Sequence, residues 1–173
     1  MLVGGGVCVS LAERKKLVAA PVARLLKPRG FRKSGLNFTV ARADAWLVVA
    51  LQSSTGSSQD ELRITCNLGI QLRRLSDGSR ADVWSAQWRE RIGFFMREPR
   101  DFWWACASDE DADSAGREIA KLLESAALPE MERLAAPAAI AALWKSGRSP
   151  GLTERQRIEY LAELMVAGVK PAD

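Results

Sequence analysis

Apolar side chains occupy every even position of residues 62–72, and polar or small side chains occupy the odd positions. The apolar set is Leu62, Ile64, Cys66, Leu68, Ile70 and Leu72. Such alternation is typical of a β-strand with one face in the core and the other facing water. Residues 36–40 alternate in the same way, and residues 46–51 are apolar on both parities, as expected for a central strand. Turn-forming residues at 43–45 and 54–60 connect the three segments, which predicts an antiparallel meander.

Helical patterns flank these strands. Ser10 with Glu13 is the signature of a helix N-terminus, and Gly30 close to Pro28 marks the end of that helix. The second half of residues 83–96 and the aromatic residues 101–107 predict a fourth and a fifth strand. Helical segments follow to the end of the chain. We therefore predict an α+β fold in which an antiparallel meander sheet of four to five strands has one N-terminal helix and three to four C-terminal helices.

The chain divides into four parts by composition. We expect a flexible leader at 1–9, a single α+β domain at 10–146, a connector at 147–152 and a C-terminal helix at 153–173. The connector is rich in glycine, and the last helix carries an apolar stripe. The stripe consists of Ile158, Leu161, Leu164 and Met165. It predicts that this helix docks on the domain or on a second copy of the chain, which would give a homodimer.

Several short motifs are similar to those of a known family. They are L-L-K-P-R-G-F-R-K-S-G-L-N-F at 25–38, L-Q-S at 51–53, N-L-G-I at 67–70, Q-W-R-E-R-I-G at 87–93 and D-F-W-W at 101–104. In this order they resemble the bacterial domain-of-unknown-function family number forty-three-oh-four, over residues 17–143. The resemblance implies a small intracellular α+β domain and brings no established activity or catalytic residues.

The composition excludes several classes of site. The 173 residues contain no histidine, which removes Ser-His-Asp and Cys-His catalysis and histidine-ligated metals. The three cysteines form no CxxC pair, so we expect free thiols, no metal and a reducing cytoplasmic location. Apolar runs are too short to cross a bilayer, so no membrane association is expected. No motif for a cofactor is present, and we predict none.

Charge is distributed unevenly along the chain. Residues 1–100 carry 17 Lys and Arg against 8 Asp and Glu, whereas residues 101–173 carry 8 against 13. The basic excess is densest at 14–33. It indicates either a nucleic-acid surface or a solvated helix with a basic C-terminal end, which the helix dipole favours.

Two groups of residues are candidates for a binding site. The polar face of the meander carries Trp46, Gln52, Arg63 and Asn67, and Thr65 and Gln71 are expected to be exposed beside them. The second group combines tryptophan and arginine, as binding hot spots often do. Its members are Trp84, Trp88, Arg89, Arg91, Trp103 and Trp104, from which we select Trp88, Arg89 and Arg91. The alternative is that the face is covered by the C-terminal helices and that the tryptophans are core residues.

We hypothesise that the protein is a non-catalytic module that recognises a protein partner. One form of this hypothesis is that it inhibits or neutralises that partner. The first alternative is a nucleic-acid-binding protein that uses the basic N-terminal half. The second is a histidine-free enzyme working through two carboxylates that converge in a pocket. No spacing in the sequence predicts such a pair, which favours a protein without catalytic activity.

Overall fold

A computed structural model describes residues 10–58, 60–78 and 80–172, so the predicted leader at 1–9 lies outside the described residues. The elements are helix α1 (Leu11–Leu26), strands β1 (Arg32–Ser34), β2 (Asn37–Ala41), β3 (Ala45–Ser53), β4 (Leu62–Leu72), β5 (Trp88–Arg91) and β6 (Trp104–Cys106), and helices α2 (Asp109–Leu122), α3 (Leu128–Leu134), α4 (Pro137–Lys145) and α5 (Glu154–Val166). The predicted α+β fold is confirmed. Within the described ranges, no helix is both long and apolar enough to span a bilayer.

The sheet is antiparallel, and its order is β1-β2-β3-β4-β5. Strand β6 also pairs with β4, opposite residues 62–64, whereas β5 pairs with residues 67–70 of the same strand. Both short strands therefore lie along one edge of β4, and the chain makes an excursion between them at 92–103. Within the described residues the sheet has six strands, one more than the predicted four to five. The additional strand is β1, whose three exposed polar residues have no alternating pattern that would predict a strand.

The buried face of the sheet is the one that the alternation predicts. Leu62, Ile64, Cys66, Leu68 and Ile70 are all fully buried, which confirms this prediction. All five helices contribute buried side chains to the same core cluster. Helices α1 and α2 approach closely at Gly116, where an added Cβ would lie 2.5 Å from the carbonyl oxygen of Val18. The helices thus form a layer on one side of the sheet.

Helix α5 docks on this layer through only part of its predicted stripe. Leu164 is fully buried, Leu161 packs against the core, and the ring of Tyr160 lies 6.1 Å from that of Trp144. Ile158 and Met165 remain more than half exposed. The inward face of α5 is therefore rotated relative to the predicted stripe, because Tyr160 takes one of the inward positions.

Candidate functional site

The four residues predicted on the polar face do share one side of the sheet, the side opposite the helices. Trp46 lies opposite Gln71, and Gln52 lies opposite Thr65 in the β3–β4 register. We call this side, which holds the odd positions of β4, the second face. Its existence is dictated by the two-residue period of a strand, which sends successive side chains to opposite sides.

The centre of the second face is covered, and the cover is not a helix. Residues 81–86, the covering segment, lie across the middle of strands β3 and β4. Ala81 and Val83 pack against Val48 and Ala50, with Trp46 at the margin of this small cluster. The covering segment is irregular and distant in sequence from β3, so the alternation of the strands contains no information about it.

Gly69 makes the close approach of the covering segment possible. A Cβ at this position would lie 3.0 Å from the Cβ of Ala86 and 3.2 Å from Cγ2 of Val83. Gln71 secures the segment from the same face, because its Oε1 accepts hydrogen bonds from the Asp82 backbone N–H and the Ser85 hydroxyl, both at 3.3 Å. A glycine within a strand is a known sign of close backbone approach, and it was the available sequence signal.

The predicted exposure of Thr65 and Gln71 is wrong for this reason. Both side chains are buried, and the Thr65 hydroxyl donates to the Phe102 carbonyl oxygen at 2.8 Å. Polar residues on a strand can be buried where the chain supplies hydrogen-bond partners, and here the covering segment and the 92–103 excursion supply them.

The four predicted contact residues do not form one exposed surface. Trp46 is half-buried, with the guanidinium of Arg73 4.8 Å from its ring centroid. Asn67 is buried and donates from Nδ2 to Oε1 of Gln52 at 2.7 Å. Arg63 is exposed, but it lies eight residues along β4 from the position opposite Trp46, about 27 Å at the rise of a strand. The structure therefore brings Gln52 and Asn67 together and separates Trp46 from Arg63.

The second predicted group is divided by strand parity. Trp88 lies opposite Ile70 and is 3% exposed, so it is a core residue and not part of a surface. Arg89 and Arg91 lie opposite Gly69 and Asn67 and belong to the second face. The prediction that Trp88 is a contact residue is thus wrong. The two arginines, by contrast, lie beside Asn67 on the second face.

That place is an open cleft of about 360 Å³ at the β5 edge, which we call the β5 cleft. It is lined by Asn67, Leu68, Val83, Trp84, Arg89, Glu90, Arg91, Phe94 and Asp101. Its two aromatic residues come from the covering segment and from the turn after β5, and both are exposed. Trp84 is 66% exposed and Phe94 is 45% exposed. The sequence analysis placed Trp84 in the second group without selecting it and did not consider Phe94 as a site residue, because only the tertiary position of the irregular segments distinguishes these two residues from the buried aromatic residues nearby.

Trp84 is exposed but its backbone is held firmly. Its N–H donates to Oδ1 of Asp82 at 2.6 Å, and the Ser85 N–H donates to the same oxygen at 3.0 Å. Nη1 of Arg89 donates to the Trp84 carbonyl oxygen at 2.9 Å, and Nη2 donates to the Gly151 carbonyl oxygen. One guanidinium therefore ties the covering segment to the connector before α5, and the Asp82 carboxylate fixes the turn that presents the indole.

The charges of the β5 cleft are balanced within it. Arg91 forms an ion pair with Asp101, and its guanidinium lies 5.1 Å from the ring centroid of Trp103. Burial raises the pKa of Glu90, against the opposing effects of a hydrogen bond from the Arg91 N–H and the charge of Arg148. The cleft thus holds two carboxylates, but Asp101 is engaged by an arginine.

No group of three or more acidic or cysteine side chains is placed to hold a metal ion within the residues that the structure describes. The arrangement of the β5 cleft is instead that of a mainly apolar recess with a polar rim, which is the usual composition of a contact surface. Its lining suits an apolar side chain of a partner that contacts the two exposed aromatic residues.

Comparison with known proteins gives one match. A family model described as a domain of unknown function (DUF4304) matches residues 22–133, a range that includes the whole β5 cleft. No curated protein and no solved structure matches the chain. The description of the family names no activity, ligand or partner.

Proposed function

We propose that this chain, which belongs to the DUF4304 family of domains of unknown function, is a non-catalytic module that binds a protein partner through the β5 cleft. Trp84 is the anchor of this contact, and Phe94 forms the opposite apolar wall. Arg89, Arg91 and Asn67 contribute the polar rim. An inhibitor or neutralising protein would use the same contact, with the partner losing its activity when bound.

The observation that carries the proposal is the combination of exposure and rigidity at Trp84. An indole that is 66% exposed leaves a large apolar surface in water, which is unfavourable for a surface with no partner. The backbone of the turn is nevertheless held, because the Trp84 N–H donates to the Asp82 carboxylate and Arg89 donates to the Trp84 carbonyl oxygen. An anchor whose backbone is already ordered loses less conformational entropy on binding, which is how preorganised contacts gain affinity.

The residue types of the β5 cleft support a protein partner. Tryptophan and arginine are enriched among the residues that dominate binding energy at protein interfaces. The recess is mostly apolar and about 360 Å³, enough for one or two side chains of a partner. Trp46, favoured as the anchor from the sequence, packs against the chain's own covering segment, so Trp84 replaces it in this proposal.

A carboxylate enzyme is the weaker use of the same cleft. It needs two free acidic groups with displaced pKa values facing one substrate. Glu90 has a raised pKa because of burial, but Asp101 is paired with Arg91. A binding role requires no such pair. It also accounts for the exposed aromatic residues, which carboxylate catalysis does not require.

The first experiment is site-specific photo-crosslinking in the native host. A benzophenone amino acid replaces Trp84 in one variant and Ile158 in the control, since Ile158 is also an exposed apolar residue but lies on α5. The expected result is one protein crosslinked from position 84 and absent from position 158. Identical crosslinking from both positions, or none from position 84, contradicts the proposal.

The second experiment measures affinity with the purified crosslinked protein. Trp84→Ala should weaken binding by about 2 kcal/mol or more, roughly 30-fold, as expected for a hot-spot tryptophan. Ile158→Ala should leave the affinity within about twofold, because surface contacts away from the anchor contribute little. Equal affinities of the Trp84→Ala variant and the unchanged protein would exclude Trp84 as the anchor.

A further inference from the structure

Three cationic side chains on the helical side of the molecule form a second surface, independent of the β5 cleft. Arg24 lies in the last turn of α1, Lys27 follows directly after it, and Lys33 belongs to β1. We call them the α1–β1 patch. They surround a shallow depression of about 500 Å³ that is lined by Lys16, Ala19, Ala20, Ala23, Arg24, Lys27, Pro28 and Lys33. The floor is made of small side chains, so a ligand backbone can approach closely.

Three other basic residues of this region are engaged, whereas the side chains of Lys15 and Arg32, like those of the patch, have no ion-pair or hydrogen-bond partner within the described ranges. Arg14 donates to the Asp60 carbonyl oxygen at 2.7 Å, and Lys16 pairs with Glu13 at 2.7 Å. Arg29 pairs with Glu124 at 2.8 Å. Within the described ranges, the side chains of the patch have neither an ion-pair partner nor a hydrogen-bond partner. They are therefore available to an external anion.

The helix dipole does not account for the patch. Cations near a helix C-terminus are often explained by the free carbonyl groups there. Most of the carbonyls around the end of α1 already have donors. The Lys27 N–H donates to Ala23, Nη1 of Arg29 to Leu25 at 2.8 Å, and the Phe31 N–H to Leu26 at 3.2 Å. The three cations thus have no structural task within the described chain.

We propose that the α1–β1 patch binds the phosphate backbone of double-stranded DNA without reading its sequence. The three cations line one depression, so they can contact neighbouring phosphates of one duplex at the same time. This inference does not rest on the protein-binding function of the β5 cleft, which lies on the other side of the sheet.

The lining of the patch distinguishes this ligand from other anionic partners. It contains no aromatic residue, and both the stacking of single-stranded bases and the anchoring of a protein partner depend on such residues. It also lacks the large apolar side chains that insert into a membrane surface. No lining side chain can accept a hydrogen bond from a ribose 2′-hydroxyl, the group by which proteins select RNA.

The salt dependence of binding follows from the number of cations. Each neutralised phosphate contributes about −0.9 to the slope of log K against log salt concentration, so three contacts give a slope of about −2.7. Affinity should then fall about 40-fold between 50 and 200 mM salt.

The test is fluorescence anisotropy with a labelled 20-base-pair DNA duplex of arbitrary sequence and the full chain. Simultaneous replacement of Arg24, Lys27 and Lys33 by Glu should weaken binding at 50 mM salt by at least about tenfold. The matched control replaces Arg97, Lys145 and Lys170 by Glu. Those side chains are also exposed, and both triple variants change the formal net charge from +4 to −2. The control should bind within about twofold of the unchanged protein.

Four outcomes overturn the proposal. They are no binding to the duplex at 50 mM salt, an equal loss in the control triple variant, affinity that does not change with salt, and tighter binding of a polyglutamate peptide or of anionic lipid vesicles than of the duplex. Circular dichroism of both triple variants checks that they are folded. The Trp84→Ala variant should bind the duplex unchanged, so failure of this proposal and failure of the protein-binding proposal are distinguishable.

Discussion

Gly93→Ala should destabilise the fold and distort the β5 cleft, because position 93 has no room for a Cβ. Gly93 is buried in the turn that follows β5, where the chain begins its excursion to β6. An added Cβ would overlap the carbonyl oxygen of Arg100 and lie 3.0 Å from both N and Cβ of Phe102. The obstructing atoms are mostly backbone, so no side-chain rotation relieves the overlap. The excursion would have to move outward by about 1 Å, since non-bonded atoms prefer separations of about 3.5–4.0 Å.

The size of the effect follows from three contributions. Overpacking of a tight site costs roughly 1–3 kcal/mol. Moving the excursion weakens the hydrogen bond from the Arg100 N–H to the Gly93 carbonyl oxygen, now 3.2 Å, at a cost of about 0.5–1.5 kcal/mol. Replacing glycine by alanine restricts the unfolded chain and returns about 0.4–1 kcal/mol. The net loss in the free energy of unfolding is about 2 kcal/mol.

Urea denaturation followed by far-ultraviolet circular dichroism measures this loss. With a slope of about 2 kcal/mol per molar urea, the midpoint should fall by about 1 M. Gly56→Ala is the matched control, because its Cβ would meet only Oγ of Ser54, at 3.4 Å, and its φ is not positive. Its midpoint should be unchanged or slightly higher. If Gly93→Ala is as stable as Gly56→Ala, the close approach of residues 100–102 to Gly93 is wrong.

Three further predictions concern the core, the carboxyl group of Glu90 and the buried thiols. Ile64→Ala should lower the free energy of unfolding by roughly 2–5 kcal/mol, whereas Arg63→Ala, its exposed neighbour, should change it by less than about 0.5 kcal/mol in the same urea assay. Burial raises the pKa of Glu90 in the folded state, so its charged form is disfavoured there. Glu90→Gln should therefore raise the free energy of unfolding at pH 7. The gain should vanish below about pH 4, where Glu90 is neutral in both states, and urea denaturation at a series of pH values measures it. Burial also raises the pKa of the Cys66 thiol and brings that of Cys106 to about 11, so in a Cys8→Ser background Ellman's reagent at pH 8 should detect no thiol in the native protein and two after unfolding. Equal losses of stability for the Ile64 and Arg63 variants would contradict the first prediction. A Glu90→Gln gain that does not change with pH would contradict the second, and a reactive thiol in the native protein would contradict the third.

The buried side of the sheet could be predicted from the sequence because strand parity is a local property. In β4, the alternation between Leu62 and Leu72 leaves only one way to place the apolar side chains in a core. The same rule could not be applied to Trp88, Arg89 and Arg91. Their parity depends on the register between β4 and β5, and the 15 residues that separate these strands leave that register open. Once Trp88 is placed opposite Ile70, the position of both arginines on the second face follows.

The cover on the second face could not be predicted because it is made by distant, irregular chain. Nothing local to β3 requires residues 81–86 to lie on Val48 and Ala50. Two signals were nevertheless present in the sequence. Gly69 interrupts a strand that otherwise favours β-structure, and the residues of β3 on the second face beside it, Val48 and Ala50, are apolar instead of polar. Together they indicate that another part of the chain approaches the middle of this face.

The covering segment links the fold to the proposed contact. Its inner residues Ala81, Val83 and Ala86 are small enough to lie flat against the sheet at Gly69, so the turn between them is forced outward. Trp84 stands on that turn and is therefore exposed as a consequence of the packing beneath it. An exposed indole contributes nothing to the packing of the core. A smaller or polar residue would make the same hydrogen bonds, because they involve only the backbone atoms of residue 84. The identity of this side chain is thus left to be explained by what it contacts outside the chain.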